Sequence, residues 1–105
     1  MVRRNDMRLP SGKELIVLEL LISRRDMYGL EMVKASRKLG RGTVYVLLSR
    51  MEDKGYVRSR QVKEEGAPGL PLRVYSITGL GQRAYAAWQQ AQVAFGMMPV
   101  LLGGR

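Results

Sequence analysis

Residues 41–62 read RGTVYVLLSRMEDKGYVRSRQV. Val44, Leu47, Leu48 and Met51 fall at i, i+3, i+4 and i+7, which makes one apolar stripe of an α-helix. The other side carries Thr43, Val46, Ser49, Arg50 and Asp53, with Arg41 just ahead of the first turn. Gly55 stops the helix, and the pattern changes at once to the period of two in Tyr56-Val57-Arg58-Ser59-Arg60-Gln61-Val62. A short helix with one packed and one polar-basic face, followed directly by a basic strand, is the arrangement a winged helix offers to DNA.

Working outward from this stretch fills in the remaining elements. Upstream, Ser11-Gly12-Lys13-Glu14 matches a capping box and opens a helix from about Gly12 to Ile22. Its Leu15, Ile16, Leu18, Leu20, Leu21 and Ile22 lie nearly all round, so it is expected to be buried on more than one side, part of the excess facing another subunit. Ser23-Arg24-Arg25-Asp26-Met27 reads as a polar break. A second helix is expected from about Tyr28 to Ser36, with Leu30 and Val33 inward and Met32 and Leu39 as further inward candidates. Gly40-Arg41-Gly42 punctuates the chain, and Thr43 begins the third helix as N-cap or first-turn residue, completing a helix-turn-helix.

Downstream, Lys63 to Pro71 is a Gly/Pro-rich loop and Leu72 to Ile77 a returning strand, together a wing. Thr78 caps a last helix from about Gly79 to Phe95, whose Leu80, Ala84, Trp88, Ala91 and Phe95 share one side and suit dimerisation. The uncharged tail from Phe95 to Gly104 is expected to be covered, by a subunit interface or by folding back on the core. The fold class is mainly α with a small β-hairpin (α+β), a winged helix-turn-helix with a C-terminal helix for dimerisation. It divides into a flexible basic arm (1–10), a DNA-binding domain (11–78) and a dimerisation region (79–105).

A chain of 105 residues holds one core of this kind. Eighteen Lys and Arg against nine Asp and Glu leave a net charge of +9, which favours a polyanionic partner through counterion release. Between positions 34 and 60 stand Lys34, Arg37, Lys38, Arg41, Arg50, Lys54, Arg58 and Arg60, against Glu52 and Asp53. That segment carries +6 of the total, so the charge is localised on the proposed DNA face.

With neither Cys nor His, the chain has no disulfide, no thiolate nucleophile, no imidazole base and no Cys- or His-based metal site. Glu52 and Asp53 are neighbours on a helix and diverge by about 100°, so they do not converge on one substrate atom. Glu64 and Glu65 lie in the Gly/Pro-rich loop, and both pairs read as solvated surface. No Gly-rich phosphate loop follows a strand. Neither an enzyme nor a bound cofactor is expected. The sequence also shows no secretory h-region and no membrane span, which leads to an expected cytoplasmic location.

The runs Leu18-Glu19-Leu20-Leu21, Tyr28-Gly29-Leu30-Glu31, Gly42-Thr43-Val44-Tyr45-Val46-Leu47-Leu48, Met51-Glu52-Asp53-Lys54-Gly55-Tyr56-Val57 and Arg73-Val74-Tyr75-Ser76-Ile77-Thr78 occur in order. Together they resemble the PadR family of bacterial winged-helix transcriptional regulators, over about residues 12 to 85. The chain departs from that family in carrying Val46 where Pro is usual, a shorter joint between the second and third helices, and a shorter C-terminal region. The resemblance implies a homodimeric repressor of an inverted-repeat operator, sometimes released by a small aromatic or drug-like ligand.

Base edges are read from the N-terminal half of such a helix, here Thr43, Tyr45, Val46, Ser49 and Arg50. Arg50 can direct two donors at guanine and the Val46 methyls can meet a thymine methyl, whereas Ser49 and Thr43 suit phosphates. Tyr45 sits at the edge of the buried stripe, as a phosphate contact or as a ring packed at the domain surface. Lys34, Lys38 and Arg41 precede the helix. In the wing, Arg58 and Arg60 point to one side, Arg73 is expected to join them from the partner strand, and Lys63 stands near the tip. Trp88 and its apolar neighbours would line an effector pocket or, more ordinarily, a core or interface. The expected partner is double-stranded DNA, bound by a homodimer as a repressor. The alternatives are a winged-helix protein–protein module and a phage- or plasmid-borne DNA-binding accessory factor.

Overall fold

The computed structural model describes residues 9–62 and 72–103, with side chains described as far as Ala94. The elements are α1 (Gly12–Arg24), β1 (Met27–Tyr28), α2 (Gly29–Ala35), α3 (Val44–Asp53), β2 (Val57–Val62), β3 (Leu72–Ile77) and α4 (Gly79–Gly103). Residues 1–8 of the arm expected over 1–10, and the loop expected from Lys63 to Pro71, lie outside the described residues, while Pro10 at the end of the arm is buried.

Local chemistry sets the helix ends. At α1 the Ser11 N–H donates to Glu14 Oε1 at 2.9 Å and the Glu14 N–H to Ser11 Oγ at 3.4 Å, the reciprocal capping box that Ser-x-x-Glu implies. The helix runs two residues past Ile22 and closes at Arg25, whose φ of 73° is the one positive value at a described non-glycine residue. At the end of α3, Gly55 adopts φ +83° and donates to the Glu52 carbonyl, while the Tyr56 N–H donates to that of Met51. This pair of bonds is a Schellman closure, and only glycine takes its left-handed position without strain. Thr78 then joins the next helix to this turn. Its Oγ1 donates to the Gly55 carbonyl at 2.5 Å and accepts the Gly81 N–H at 3.0 Å.

Three differences from the sequence reading have simple causes. Met27, read as the end of a polar break, and Tyr28, read as the start of the second helix, form a two-residue strand paired antiparallel with β3, so the sheet has three strands in the order β1-β3-β2 rather than two. Consequently α2 starts at Gly29; its Leu30 is exposed and its Met32 buried, while Leu39 enters the core from the turn after the helix. At the far end, α4 continues through Gly103 instead of giving way to a tail after Phe95. Gly96 and Pro99 weaken a helix without forbidding it.

The core forms where α1 lies across α3 and the sheet. Val17, Leu18 and Leu21 of α1 meet Met32, Leu39, Val44, Leu48 and Met51, closed from below by Met27, Tyr56, Val57 and Tyr75. Ile16 and Leu20 pack beside that cluster and Ile22 is exposed, so α1 is buried on a broad arc but not all round. Leu47, expected in the α3 stripe, is only half-buried.

Candidate nucleic-acid interface

The core fixes one side of α3, and the rest of the helix is turned outward. Val44, Leu48 and Met51 are buried, whereas Thr43, Tyr45, Val46, Ser49 and Arg50 are exposed, Val46 at 53% and Tyr45 at 47%. Ser49 and Arg50 make no side-chain hydrogen bond among the described residues, which leaves their polar groups to an external partner. Thr43 occupies the N-cap position without capping; its Oγ1 donates to the Gly40 carbonyl at 3.5 Å.

Tyr45 is packed and exposed at once. A Cβ added at Gly29 would stand 2.7 Å from Tyr45 Cε1, so the ring lies directly on the glycine. The phenol borders a groove of about 420 Å³ between α2, α3 and β3, with Tyr28, Lys34, Leu72 and Arg73 along its walls. On the other flank of α3, a cleft of about 290 Å³ brings Lys13 of α1 alongside Thr43, Val46, Leu47 and Arg50. Lys13 is absent from the sequence-based site because it is remote in sequence and belongs to an ordinary capping box.

The basic cluster divides once partners are assigned. Lys54 turns inward, its Nζ 2.7 Å from Oε2 of the buried Glu14 and 5.7 Å from the centre of the Tyr56 ring. Arg60 Nη2 lies 3.4 Å from Asp26 Oδ2 across the sheet. Arg73 differs from expectation. Register pairs it with Gln61, and Arg58 and Arg60 with Ser76 and Val74, so strand alternation places Arg73 on the opposite face from both. There its Nη1 donates to Ser59 Oγ at 2.8 Å. Lys38 is displaced too, lining a cleft with Lys13, Leu15, Glu19 and Trp88 between α1 and α4. Lys63 lies outside the described residues.

The acids are largely engaged. Glu14 holds Lys54, Asp26 holds Arg60, Glu31 accepts the Tyr28 N–H, Glu52 accepts from Ser59 and Glu19 accepts from Tyr85. Asp53 is the one described carboxylate without a side-chain bond. Lys13, Lys34, Arg37, Lys38, Arg41, Arg50 and Arg58 are exposed, and none has a described carboxylate within ion-pair distance. The surface around α3 is therefore positive in its local field as well as in its composition.

In α4, Ala84 packs against the core and Trp88 and Ala91 are half-buried, while Leu80 is exposed with its Cδ2 close over Gly55. The Phe95 side chain lies outside the described residues. The Tyr85 ring sits 5.7 Å from that of Trp88, and its hydroxyl donates to Glu19 Oε2 at 2.9 Å, so part of this stripe is used within the chain against α1. Burial and the Glu19 carboxylate raise the Tyr85 hydroxyl above its ordinary value. Among the described residues no three acidic, Cys or His groups gather to hold a metal ion, and no helix is long and apolar enough to cross a membrane.

Residues 17–87 match the family model described as the transcriptional regulator PadR-like family, about two thirds of the chain. The chain belongs to the PadR-like family of transcriptional regulators. Solved structures agree with that membership. A candidate transcriptional regulator from Thermoplasma acidophilum is 32% identical, with 85% of this chain and 87% of that one covered and a TM-score of 0.65. A PadR family transcription regulator from Clostridium difficile is 26% identical over 89% of this chain and 100% of that one, with a TM-score of 0.70. Bacillus subtilis PadR, solved in complex with operator DNA, shares the fold at 17% identity, with a TM-score of 0.65 over 74% of this chain and 46% of that one. No curated protein matches the sequence. The PadR-like family model spans α1 to the first turns of α4, so it contains both flanks of the α3 surface.

Proposed function

We propose that this PadR-like regulator binds a palindromic DNA operator as a homodimer and represses transcription there. The observation that carries the reading is the outward face of α3, where Tyr45, Val46, Ser49 and Arg50 are exposed opposite a stripe sealed in the core. A helix fits the major groove, and Arg50 there presents two donors suited to guanine while Val46 suits a thymine methyl. Thr43 and Ser49 bind phosphates, joined by Lys13, Lys34 and Arg41 around the helix and by Arg58, Arg60 and Lys63 in the wing. Lys38, beside Trp88, contributes to the general field. The operator complex of Bacillus subtilis PadR supports this reading by analogy of fold.

Residues 11–78 serve as the DNA-binding unit and 79–105 as the dimerisation region, with Leu80, Ala84, Trp88, Ala91 and Phe95 at or beneath the subunit contact. A two-fold dimer presents two α3 helices to successive major grooves, which requires an inverted repeat about one DNA turn apart. The protein works in the cytoplasm and carries no catalytic activity; a small-molecule effector acts on the dimer if one exists.

Selection of bound duplexes from a random library, followed by footprinting of the winner, tests the proposal. Two protected half-sites in inverted orientation are expected, and Arg50→Ala is expected to abolish them at the same protein concentration. Enrichment of single, unpaired half-sites would remove the dimeric operator from the proposal.

A further inference from the structure

Glu52 was read as a solvated charge and Arg73 as a phosphate contact, but they stand at the two ends of one hydrogen-bonded chain. Ser59 Oγ donates to Glu52 Oε2 at 2.9 Å and accepts from Arg73 Nη1 at 2.8 Å. The chain crosses three elements, with Glu52 in the last turn of α3, Ser59 in β2 and Arg73 in β3. Arg73 reaches Ser59 diagonally, because its direct partner across the strands is Gln61. Tyr75, the direct partner of Ser59, is buried beneath the same cluster, and its hydroxyl is raised by burial, lowered by Arg73 and raised by Glu52. The guanidinium and the carboxylate thus both lie within electrostatic reach of one buried ring.

We propose that Glu52, Ser59 and Arg73 form a clasp that fixes the wing against the reading helix, with Arg73 a positioning residue rather than a phosphate contact. The position of the hydroxyl explains why three residues are needed. Ser59 both donates and accepts, so it orders the carboxylate on one side and the guanidinium on the other. β2 follows α3 after the Gly55 turn, whereas β3 is joined to α3 through its pairing with β2 and through the Arg73–Ser59–Glu52 bonds. The clasp therefore sets the distance between the major-groove contacts of α3 and the backbone contacts of the wing. This consequence for affinity rests on the DNA-binding reading; the clasp itself does not.

The test uses Ser59→Ala, Arg73→Ala and the double variant, each first shown by circular dichroism and thermal unfolding to be folded. In the free protein, amide hydrogen exchange across β2 and β3 is expected to quicken about fivefold in Arg73→Ala, which loses one ordinary hydrogen bond, and further in Ser59→Ala, which loses both. The double variant is expected to be no faster than Ser59→Ala, which already removes both bonds of the chain. Unchanged exchange in Arg73→Ala, or effects that multiply, overturns the clasp. On the selected duplex, Arg73→Ala is expected to weaken binding severalfold while leaving the slope of log affinity against log salt unchanged. A slope reduced by about 0.9 would make Arg73 a phosphate contact and overturn the positioning role. Wild-type protein that binds no duplex overturns the DNA reading alone, and the exchange data still decide the clasp.

Discussion

Residue by residue, α3 follows a simple division between side chains that the core claims and side chains that it does not. Periodicity alone is enough to assign Val44, Leu48 and Met51 inward and Val46, Ser49 and Arg50 outward, because a helix surface repeats every few residues. Partners distant in sequence are invisible to that logic. Glu14 and Lys54 are forty positions apart, and only the assembled fold brings the lysine ammonium onto the buried carboxylate. Removing half of that pair by Glu14→Ala strips the glutamate half of the capping box and the ion pair, while the Ser11 cap on the residue-14 N–H stays, and is expected to cost about 2–4 kcal/mol in denaturant unfolding. An unchanged midpoint would show the pair to be idle. Gly29 carries a sharper consequence. Gly29→Ala leaves the Tyr45 ring no room, so DNA affinity is expected to fall by a factor similar to that of Tyr45→Ala, with the two changes non-additive when combined.

At the scale of elements, three helix ends were legible almost to the residue, and the reason is capping chemistry. Ser11 and Glu14 open α1 and Thr78 opens α4 through side-chain hydrogen bonds that few residues can make, and Gly55 closes α3 through backbone bonds at a positive φ that glycine takes without strain. The strand β1 was not legible, since two residues show no period, and its existence depends on β3 arriving beside it. That omission shifted α2 and misplaced Leu30. The face of Arg73 was missed for a related reason. Register between β2 and β3 is set across the loop from Lys63 to Pro71, and a shift of one residue exchanges the faces of a strand. Gly55→Ala is expected to destabilise the domain by about 1 kcal/mol through its positive φ, more if Leu80, 3.2 Å from the added Cβ, cannot give way. Thermal unfolding would register this as a drop of several degrees.

The whole molecule combines a net charge of +9 with acids that are mostly bonded internally, so its positive field is available to a polyanion. A dimer that neutralises six to ten phosphates is expected to lose about 10³- to 10⁵-fold in affinity between 50 and 200 mM salt. A protein–protein module that docks an acidic partner through the same basic face would show no such tight, steeply salt-dependent binding to a duplex. On the proposed reading, half-site recognition through α3 supplies the specificity that charge cannot. The most direct measurement is therefore equilibrium binding of wild-type protein and Arg50→Ala to a duplex selected from a random library, beside a scrambled duplex of equal length. Wild type should prefer the selected duplex by at least about a thousandfold, and Arg50→Ala should lose most of that preference while keeping its affinity for the scrambled one. Equal affinity of wild type for both duplexes, or binding to neither at low salt, would contradict sequence-specific recognition through α3.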